Sequence, residues 1–265
     1  MGNSDPFLTY LKSFGYSVIR LPRTDIRPLQ VLVKEGTRLT RLGDLVSILQ
    51  PGERVALPVV KMDVPAANIS GERTRDLSIG VGLSILGNLI GAMGGSKLGL
   101  DVGYKNAKTA TFEFADVLED HVDLIDLDQY LSDADISAFS HHAAQLLEAD
   151  AVYVTTSVIK TKKFVVQAKQ SDGVTLDVKV PEIQKSVGGN VKVSTTGGTS
   201  DKVLYEGAVP LVFGFQAARV YYENGHYSAF KPLPPGETAL EASGRQAASR
   251  AEYHQSESPF VRFDA

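Results

Sequence analysis

Apolar side chains recur along this chain with two spacings, one typical of helices and one typical of strands. Phe7, Leu11 and Phe14 are separated by four and three residues, which predicts a short helix between Asp5 and Gly15. Other short, largely apolar runs lack this spacing and predict strands instead. These strands are expected at 16–21, 29–33, 45–49, 55–61 and 77–85.

The middle of the chain, from 150 to 230, has mainly the alternating pattern of strands. Asp172-Gly173 and Asn224-Gly225 each separate two alternating runs, and such dipeptides are the strongest local signal of a β-hairpin. Before this region, Asp133 and Asp135 suit the positive end of a helix dipole, which predicts a second helix beginning near Ser132. The apolar face of that helix would consist of Ile136, Phe139, Ala143 and Leu146.

The composition changes after the proline-rich stretch at 232–235. Residues 237–257 are rich in Ala, Ser, Glu and Arg and have almost no bulky apolar side chains, whereas aromatic residues return at 258–263. The whole pattern predicts an α+β fold, in which a twisted, mainly antiparallel sheet carries a few flanking helices. We expect a body formed by residues 1–236 and a short C-terminal tail formed by residues 237–265.

Residues 77–96 contain no charged side chain, and their pattern fits two structures. In a helix, Gly87, Gly91 and Gly95 would form a glycine zipper, a surface that another helix can approach closely. The six glycines of this stretch would weaken that helix by up to ~1 kcal/mol each. In a strand, apolar residues from Leu77 to Ile85 alternate with small or polar ones over nine positions, which is about the length of a tilted strand that crosses a bilayer.

The same alternation returns at 98–104 and 174–180. Two arms with one apolar face and one polar face are typical of a membrane β-barrel, whose strands contact lipid on one side and water on the other. A half-buried antiparallel strand in a soluble protein has the same pattern, so the pattern alone leaves both interpretations open. The candidate lipid-facing residues are Leu77, Ile79, Val81, Leu83, Ile85, Leu98, Leu100, Val102, Tyr104, Val174, Leu176, Val178 and Val180.

Composition and motifs argue against several classes of function. The chain has no cysteine, which excludes disulfides, thiolate metal sites, thiol catalysis and S-acylation. Gly80-Val81-Gly82 begins a dinucleotide-binding motif, but Ile85 stands where its third glycine is needed. We therefore predict no enzymatic activity, no cofactor and no metal site. The net charge of −4 gives no reason to expect nucleic acid as a partner, and the absence of a secretory signal predicts a cytoplasmic protein.

Charged residues are unevenly distributed along the chain. Between residues 109 and 159 there are eleven acidic residues and no Lys or Arg, whereas the first 44 residues carry seven basic groups and four acidic ones. Lys12, Arg20, Arg23 and Arg27 lie close together in the sequence. This segregation is typical of a protein that turns a basic face towards anionic lipid, and ordinary surface patterning explains it equally well.

The first fifth of the chain carries a family resemblance. The opening DPFLTYLKSFGYSVIRLPRTDIRPLQVL, followed by RLGDLVSIL, resembles the start of the bacterial gasdermins, including the Leu21-Pro22-Arg23 loop and the Ile26-Arg27-Pro28-Leu29 step. The chain length, the glycine-rich uncharged stretch, the β-rich middle and the short tail agree with it. The resemblance implies a cytoplasmic cell-death effector of anti-phage defence that a short C-terminal peptide keeps inactive.

The resemblance also implies a mechanism of activation. A partner protease, caspase-like or trypsin-like, would remove the peptide, and the freed body would oligomerise into a large β-barrel pore in the inner membrane, with anionic lipids as partners. Gasdermins of bacteria often carry a palmitoylated cysteine near the N-terminus. Here Gly2, Asn3 and Ser4 stand at these positions and the chain has no thiol, so no lipidation is predicted.

The tail residues can be assigned to these steps. An autoinhibitory plug would bury its apolar side chains in a groove of the body and contribute on the order of 5 kcal/mol. The plug residues are Phe260, Val261 and Phe263, and the candidate residues before the scissile bond are Arg245, Arg250 and Leu240. The competing interpretation is a cytosolic β-rich binding module whose tail occupies a peptide groove.

Overall fold

An antiparallel β-sheet dominates the fold. The computed structural model describes residues 11–12, 14–35, 38–71, 73–74, 76–137, 141–170, 173–197, 199–223 and 226–232. The strands are β1 (Ser17–Arg23), β2 (Gln30–Glu35), β3 (Arg38–Asp44), β4 (Leu49–Gln50), β5 (Lys61–Pro65), β6 (Leu77–Ser78), β7 (Thr109–Ala115), β8 (Leu118–His121), β9 (Asp135–Ile136), β10 (Val152–Lys169), β11 (Val191–Thr196), β12 (Thr199–Glu223) and β13 (His226–Pro232). The helices are α1 (Leu45–Ile48), α2 (Ile79–Ala92), α3 (Leu100–Gly103), α4 (Leu124–Asp133), α5 (His141–Glu148) and α6 (Val180–Val187).

Two long strands form the centre of the main sheet. β12 pairs with β10 in antiparallel register from Tyr153↔Arg219 to Gln167↔Lys202, with three register shifts along the way. The other edge of β10 pairs in turn with β2, β8 and β7, and the other edge of β12 pairs with β1, β11 and β13. β3, β5 and β6 extend the sheet beyond β2, β8 and β7, which gives eleven strands within the described residues.

Three apolar clusters form the core. The largest packs α2, α3 and α6 against β7, β10, β11 and β12, and in it Phe114 and Phe213 stack with ring centroids 4.3 Å apart. A second cluster packs α1, α4 and α5 against β2 and the ends of β10 and β12, and a third lies among β1, β2, β3, β10 and β12. The largest cluster positions the candidate lipid-facing residues, because nine of them belong to it or pack on it.

The structure confirms the α+β class and several of the predicted elements. The strands expected at 16–21 and 29–33 are β1 and β2. Glu223 pairs with His226, as expected for a hairpin at Asn224-Gly225, although these two residues lie outside the described ones. No helix within the described ranges is both long and apolar enough to span a bilayer.

Two short strand predictions are wrong. Residues 45–48 form α1, in which Leu45 and Ile48, three positions apart, are buried on one helix face. Residues 55–60 lie outside any strand, and β5 begins only at Lys61. Pro58 explains this boundary, because proline lacks the N–H group that a strand ladder needs.

The start predicted near Ser132 for the second helix is also wrong. α4 ends at this point, and the Ser132 hydroxyl donates to the carbonyl oxygen of Asp128 over 2.8 Å within α4. The Asp133 carboxylate accepts hydrogen bonds from the backbone N–H groups of Arg54 and Val55, both at 2.9 Å. β9 then pairs with β4, and the next helix, α5, begins only at His141.

Candidate membrane-insertion segments

The first candidate segment, residues 77–104, is mostly helical in this structure. Only Leu77 and Ser78 form a strand, β6, which pairs with β7. From Ile79 onward the chain forms α2, so the strand predicted at 77–85 is wrong for this fold beyond Ser78. Residues 98–104 likewise contain the short helix α3 and no strand.

Helix α2 has little local support. Four of its fourteen residues are glycine, and each glycine lowers helix stability by up to ~1 kcal/mol relative to alanine. Ser78 makes no side-chain capping bond, the first turn has no acidic residue, and the last turn has no basic one. The helix therefore depends on tertiary packing, above all on the buried side chains of Leu86, Leu89 and Ile90.

The second segment, residues 174–196, begins with the candidate residues at 174–180 and leaves the sheet soon after the turn that follows β10. Lys169 and Thr175 form an isolated bridge, and the Leu176 N–H donates to Ala168 over 2.9 Å. The chain then forms α6, with Pro181 in its first turn, and returns as β11. The alternating residues of 174–180 are therefore not a regular strand in this structure. Only Thr175 forms a bridge, and α6 begins at Val180.

Glycines bring the two segments into close contact. Gly95, Gly99 and Gly103 face α6 and the start of β11. A Cβ atom on Gly103 would lie 2.6 Å from Cγ1 of Ile183, and one on Gly99 would overlap the side chain of Ser186. Only glycine permits this approach, so we name the contact between residues 94–103 and residues 183–191 the glycine seam.

Two hydrogen bonds close the glycine seam. The Ser96 N–H donates to the Val187 carbonyl oxygen over 2.8 Å, and Nδ2 of Asn190 donates to the Gly94 carbonyl oxygen over 3.1 Å. The predicted zipper along α2 is not a helix–helix contact here. Space around Gly91 is open, and Gly87 faces the side chain of Lys97.

The structure separates the thirteen candidate lipid-facing residues by exposure. Five are buried, namely Leu77, Leu100, Tyr104, Leu176 and Val178. Four are partly buried against the largest cluster, namely Ile79, Leu83, Ile85 and Val180. Four are exposed, namely Val81 (42%), Leu98 (77%), Val102 (68%) and Val174 (56%). Most of this apolar surface would reach a bilayer only after the two segments left the sheet.

One hydrogen bond fixes the end of the first segment to the sheet. The hydroxyl groups of Tyr104 and Tyr205 lie 2.8 Å apart, and both side chains are buried in the largest cluster. Tyr205 also stacks on Phe164, with ring centroids 5.2 Å apart. Burial raises the pKa of Tyr104 and of Tyr205, so both phenols are neutral, and one hydroxyl donates to the other.

A buried ion pair was not predicted from the sequence. Lys160 interrupts the apolar alternation of β10, and its Nζ atom lies 2.6 Å from Asp120 and 2.9 Å from Asp63. Burial alone lowers the pKa of Lys160, but the hydrogen bonds and charges of these two carboxylates raise it overall. The partners are distant in sequence, and only the break in the alternation pointed to Lys160.

The basic residues near the N-terminus contact carboxylates. Arg23 and Arg41 contact Asp25 at 2.9 and 3.3 Å, and Arg27 contacts Asp44 at 2.6 Å. Most of these side chains line a surface cleft of about 410 Å³. The predicted basic face is therefore partly neutralised within the described residues.

Comparison with known proteins places this architecture in a family. The sequence profile of the Bacterial Gasdermin Family matches residues 19–226. The chain belongs to the bacterial gasdermin family. This gasdermin is 55% identical to a gasdermin of a Desulfuromonadales bacterium, over 97% of both chains. It is 41% identical to a gasdermin of Lysobacter enzymogenes, over 91% of this chain and 89% of that one.

The fold agrees with this assignment. A solved structure of a bacterial gasdermin from Bradyrhizobium tropiciagri matches 98% of this chain and 97% of its own, with a TM-score of 0.58 and 18% identity. Gasdermins are pore-forming effector proteins and not enzymes, so this gasdermin is a pore-forming protein. The predicted cleavage residues Leu240, Arg245 and Arg250 and the predicted plug at 260–263 lie outside the described residues.

Proposed function

We propose that this gasdermin is an autoinhibited pore-forming protein of anti-phage defence. Residues 1–236 form the pore-forming body, and residues 237–265 form a linker and an inhibitory peptide. A caspase-like or trypsin-like protease cuts the linker, after Arg245 or Arg250 or after Leu240. The freed body then moves from the cytoplasm to the inner membrane, where it assembles with copies of itself on anionic lipids and kills the cell.

The observation that carries this proposal is the mismatch between pattern and structure in the first insertion segment. Residues 77–85 alternate as a bilayer-crossing strand would, yet all but the first two form a glycine-rich helix whose N-terminus has no side-chain capping bond. Such a helix is stable only while Leu86, Leu89 and Ile90 stay packed. Once it unpacks, a strand paired in a closed barrel satisfies every backbone hydrogen bond, as lipid requires.

The proposed plug explains why the intact chain stays inactive. Burial of Phe260, Val261 and Phe263 contributes on the order of 5 kcal/mol before ordering costs. A tethered peptide has an effective concentration in the millimolar range, which keeps such a weak contact occupied. A released peptide is diluted and dissociates, so a single cut is sufficient for activation.

The proposal is tested by cutting the linker of the full chain in the presence of dye-filled vesicles. Limited digestion with a trypsin-like protease should cut at Arg245 or Arg250 and cause dye release from anionic vesicles, with less release from zwitterionic ones. The matched control is the R245Q/R250Q/R262Q variant, which removes every Lys and Arg of residues 237–265 and should keep its tail and leave the vesicles sealed under the same conditions. Cut protein that stays monomeric beside sealed vesicles would favour the competing binding module.

A further inference from the structure

Gln184 on helix α6 occupies the outer edge of strand β11. The Val193 N–H donates to Oε1 of Gln184 over 2.7 Å, and Nε2 of Gln184 donates to the Val191 carbonyl oxygen over 3.0 Å. The same Nε2 also donates to the carbonyl oxygen of Gly188 over 3.2 Å. Because the Val193 N–H can only donate, the orientation of the side-chain amide is determined by these partners.

These contacts lie on the side of β11 that faces away from the sheet. Neighbouring residues of a strand direct their N–H and C=O groups to opposite edges. Lys192, between the two valines, is aligned with Glu206 of β12. The groups of Val191 and Val193 therefore point outward, where the Gln184 amide supplies one acceptor and one donor, as the C=O and N–H groups along the edge of an added strand would.

β11 in turn covers an edge of the central strand β12. Leu204 and Tyr205 of β12 are aligned with β10 on one side and with Ser194 and Val193 of β11 on the other. Within the described residues β11 pairs with β12 alone, so it is an edge strand. An uncovered edge strand is a template for another chain, and proteins protect such edges with loops, helices or side chains.

We propose that Gln184 is an edge guard: its amide keeps a second copy of this chain from pairing with β11 until α6 detaches. This inference rests on the proposed function, because a pore built from many copies needs open strand edges at which copies join. The guard belongs to the body and acts separately from the tail. It makes detachment of α6 a step that precedes assembly.

The chemistry of the edge favours a second copy as the partner. Val191 and Val193 are buried on one face of β11, while Lys192 and Ser194 on the other face are exposed. A strand that joins this edge must continue an apolar face and a polar face in the same alternation. Residues 77–85 of another copy have this alternation, and they become available when α2 unfolds.

The first test replaces the guard in the full chain with its tail intact. Q184L removes both hydrogen-bonding groups, and K185L is the matched control, since Lys185 is an exposed neighbour on the same helix. Each variant carries a single cysteine at Ser194, labelled with a maleimide-benzophenone photo-crosslinker, which is specific because the chain has no other thiol. Loss of the two hydrogen bonds to the edge of β11 should increase covalent dimers on the order of tenfold in Q184L and leave K185L unchanged.

The position of the label shows whether copies join at this edge. A label at Ser228, an exposed residue on β13, should yield no increase in dimers with Q184L. Equal cross-linking from both positions indicates non-specific association and overturns the inference, as does a Q184L protein that stays as monomeric as K185L.

A milder substitution, Q184E, tests the guard if Q184L fails to fold. Q184E keeps the acceptor for Val193 and loses the donor to Val191 and Gly188, so one of the two hydrogen bonds to β11 remains and the increase in dimers from the label at Ser194 should be smaller. In the chain with native Gln184, the label should form few dimers before cleavage of the tail and many after cleavage on anionic vesicles. Dye release without cross-linking at Ser194 overturns the edge guard while the pore function stands, whereas sealed vesicles after cleavage reject the pore function itself.

Discussion

Gly99 has a backbone conformation and a neighbour that both require glycine. Its φ angle is +87°, and a Cβ atom there would overlap the side chain of Ser186 on α6. An alanine would add left-handed strain of about 1–2 kcal/mol and overpacking of about 1–3 kcal/mol. We expect G99A to lower the free energy of unfolding of the intact chain by about 2–5 kcal/mol, as measured by urea denaturation.

Gly71 provides the control for this prediction. Its φ angle is +82°, and no atom lies within 4 Å of the position of an added Cβ. G71A should therefore show the left-handed strain alone, about 1–2 kcal/mol. If both variants lose the same stability, Ser186 does not restrict position 99, and the glycine seam is looser than its geometry indicates.

The two buried tyrosines give a second prediction for single residues. Y104F removes one hydroxyl and leaves that of Tyr205 buried without its partner, which should cost about 1–3 kcal/mol in thermal unfolding. The Y104F/Y205F double variant should lose less than the sum of the two single losses, because no orphaned hydroxyl remains. Additive losses would mean that the hydrogen bond contributes nothing. Phenylalanine at 104 is compatible with lipid, so dye release after tail cleavage should persist.

At the scale of elements, α2 offers a matched pair of positions for testing the inserted strand. Val81 and Ser84 are both exposed on the helix, yet they lie on opposite faces of the proposed strand. Lysine at either position should leave the folded monomer intact. V81K places a charge among lipid chains, at a cost of about 2–4 kcal/mol per copy near the bilayer centre, and should abolish dye release. The lysine of S84K would face the water-filled lumen, so this variant should release dye as the unmodified chain does. Equal effects of the two variants would reject the strand assignment.

Lys160 and Lys162 both interrupt the apolar alternation of β10, but they differ in burial. Their replacement should therefore have different effects on the free energy of unfolding. Lys160 neutralises Asp120, whose side chain is 6% exposed, so K160M should lower the free energy of unfolding by about 3–5 kcal/mol. Lys162 contacts Glu206 over 3.6 Å with its side chain 45% exposed, so K162M should cost no more than about 1 kcal/mol. Chemical denaturation of the two variants measures this difference. Similar losses would show that burial of the ion pair has no effect on stability.

The local sequence pattern was sufficient to predict strands that pair with a neighbouring strand in the folded protein. β1, β2 and the arms of the last hairpin form as predicted because each has a neighbouring strand with which it pairs. For 77–96 both a helix and a strand fit the pattern, and packing on the sheet selects the helix from Ile79 onward. The partners of Gly99, Tyr104 and Lys160 could not be predicted, because each lies at least 40 residues away and contact at that separation depends on the whole topology.

At the scale of the whole molecule, two restraints of different strength hold the proposed resting state. The glycine seam and the edge of β11 are parts of the body and persist after cleavage. The proposed plug contributes on the order of 5 kcal/mol, which corresponds to a dissociation constant of a fraction of a millimolar. Because tethering supplies a millimolar effective concentration, the proposed plug would stay bound in the intact chain and dissociate on dilution after cleavage. The body alone should therefore cause dye release from anionic vesicles without a second cut, once α6 has detached.

A dissociation constant of this size predicts how the tail behaves when it is added as a free peptide. A synthetic peptide of residues 246–265 should suppress dye release by the cleaved body at about millimolar concentration and have little effect at about 10 μM. A peptide with F260A and F263A should not suppress it, and one with S256A and S258A should act like the native peptide. In the intact chain, F260A/F263A should cause dye release without protease. Inhibition by the native peptide at 10 μM would mean that the plug binds too tightly for a single cut to release it.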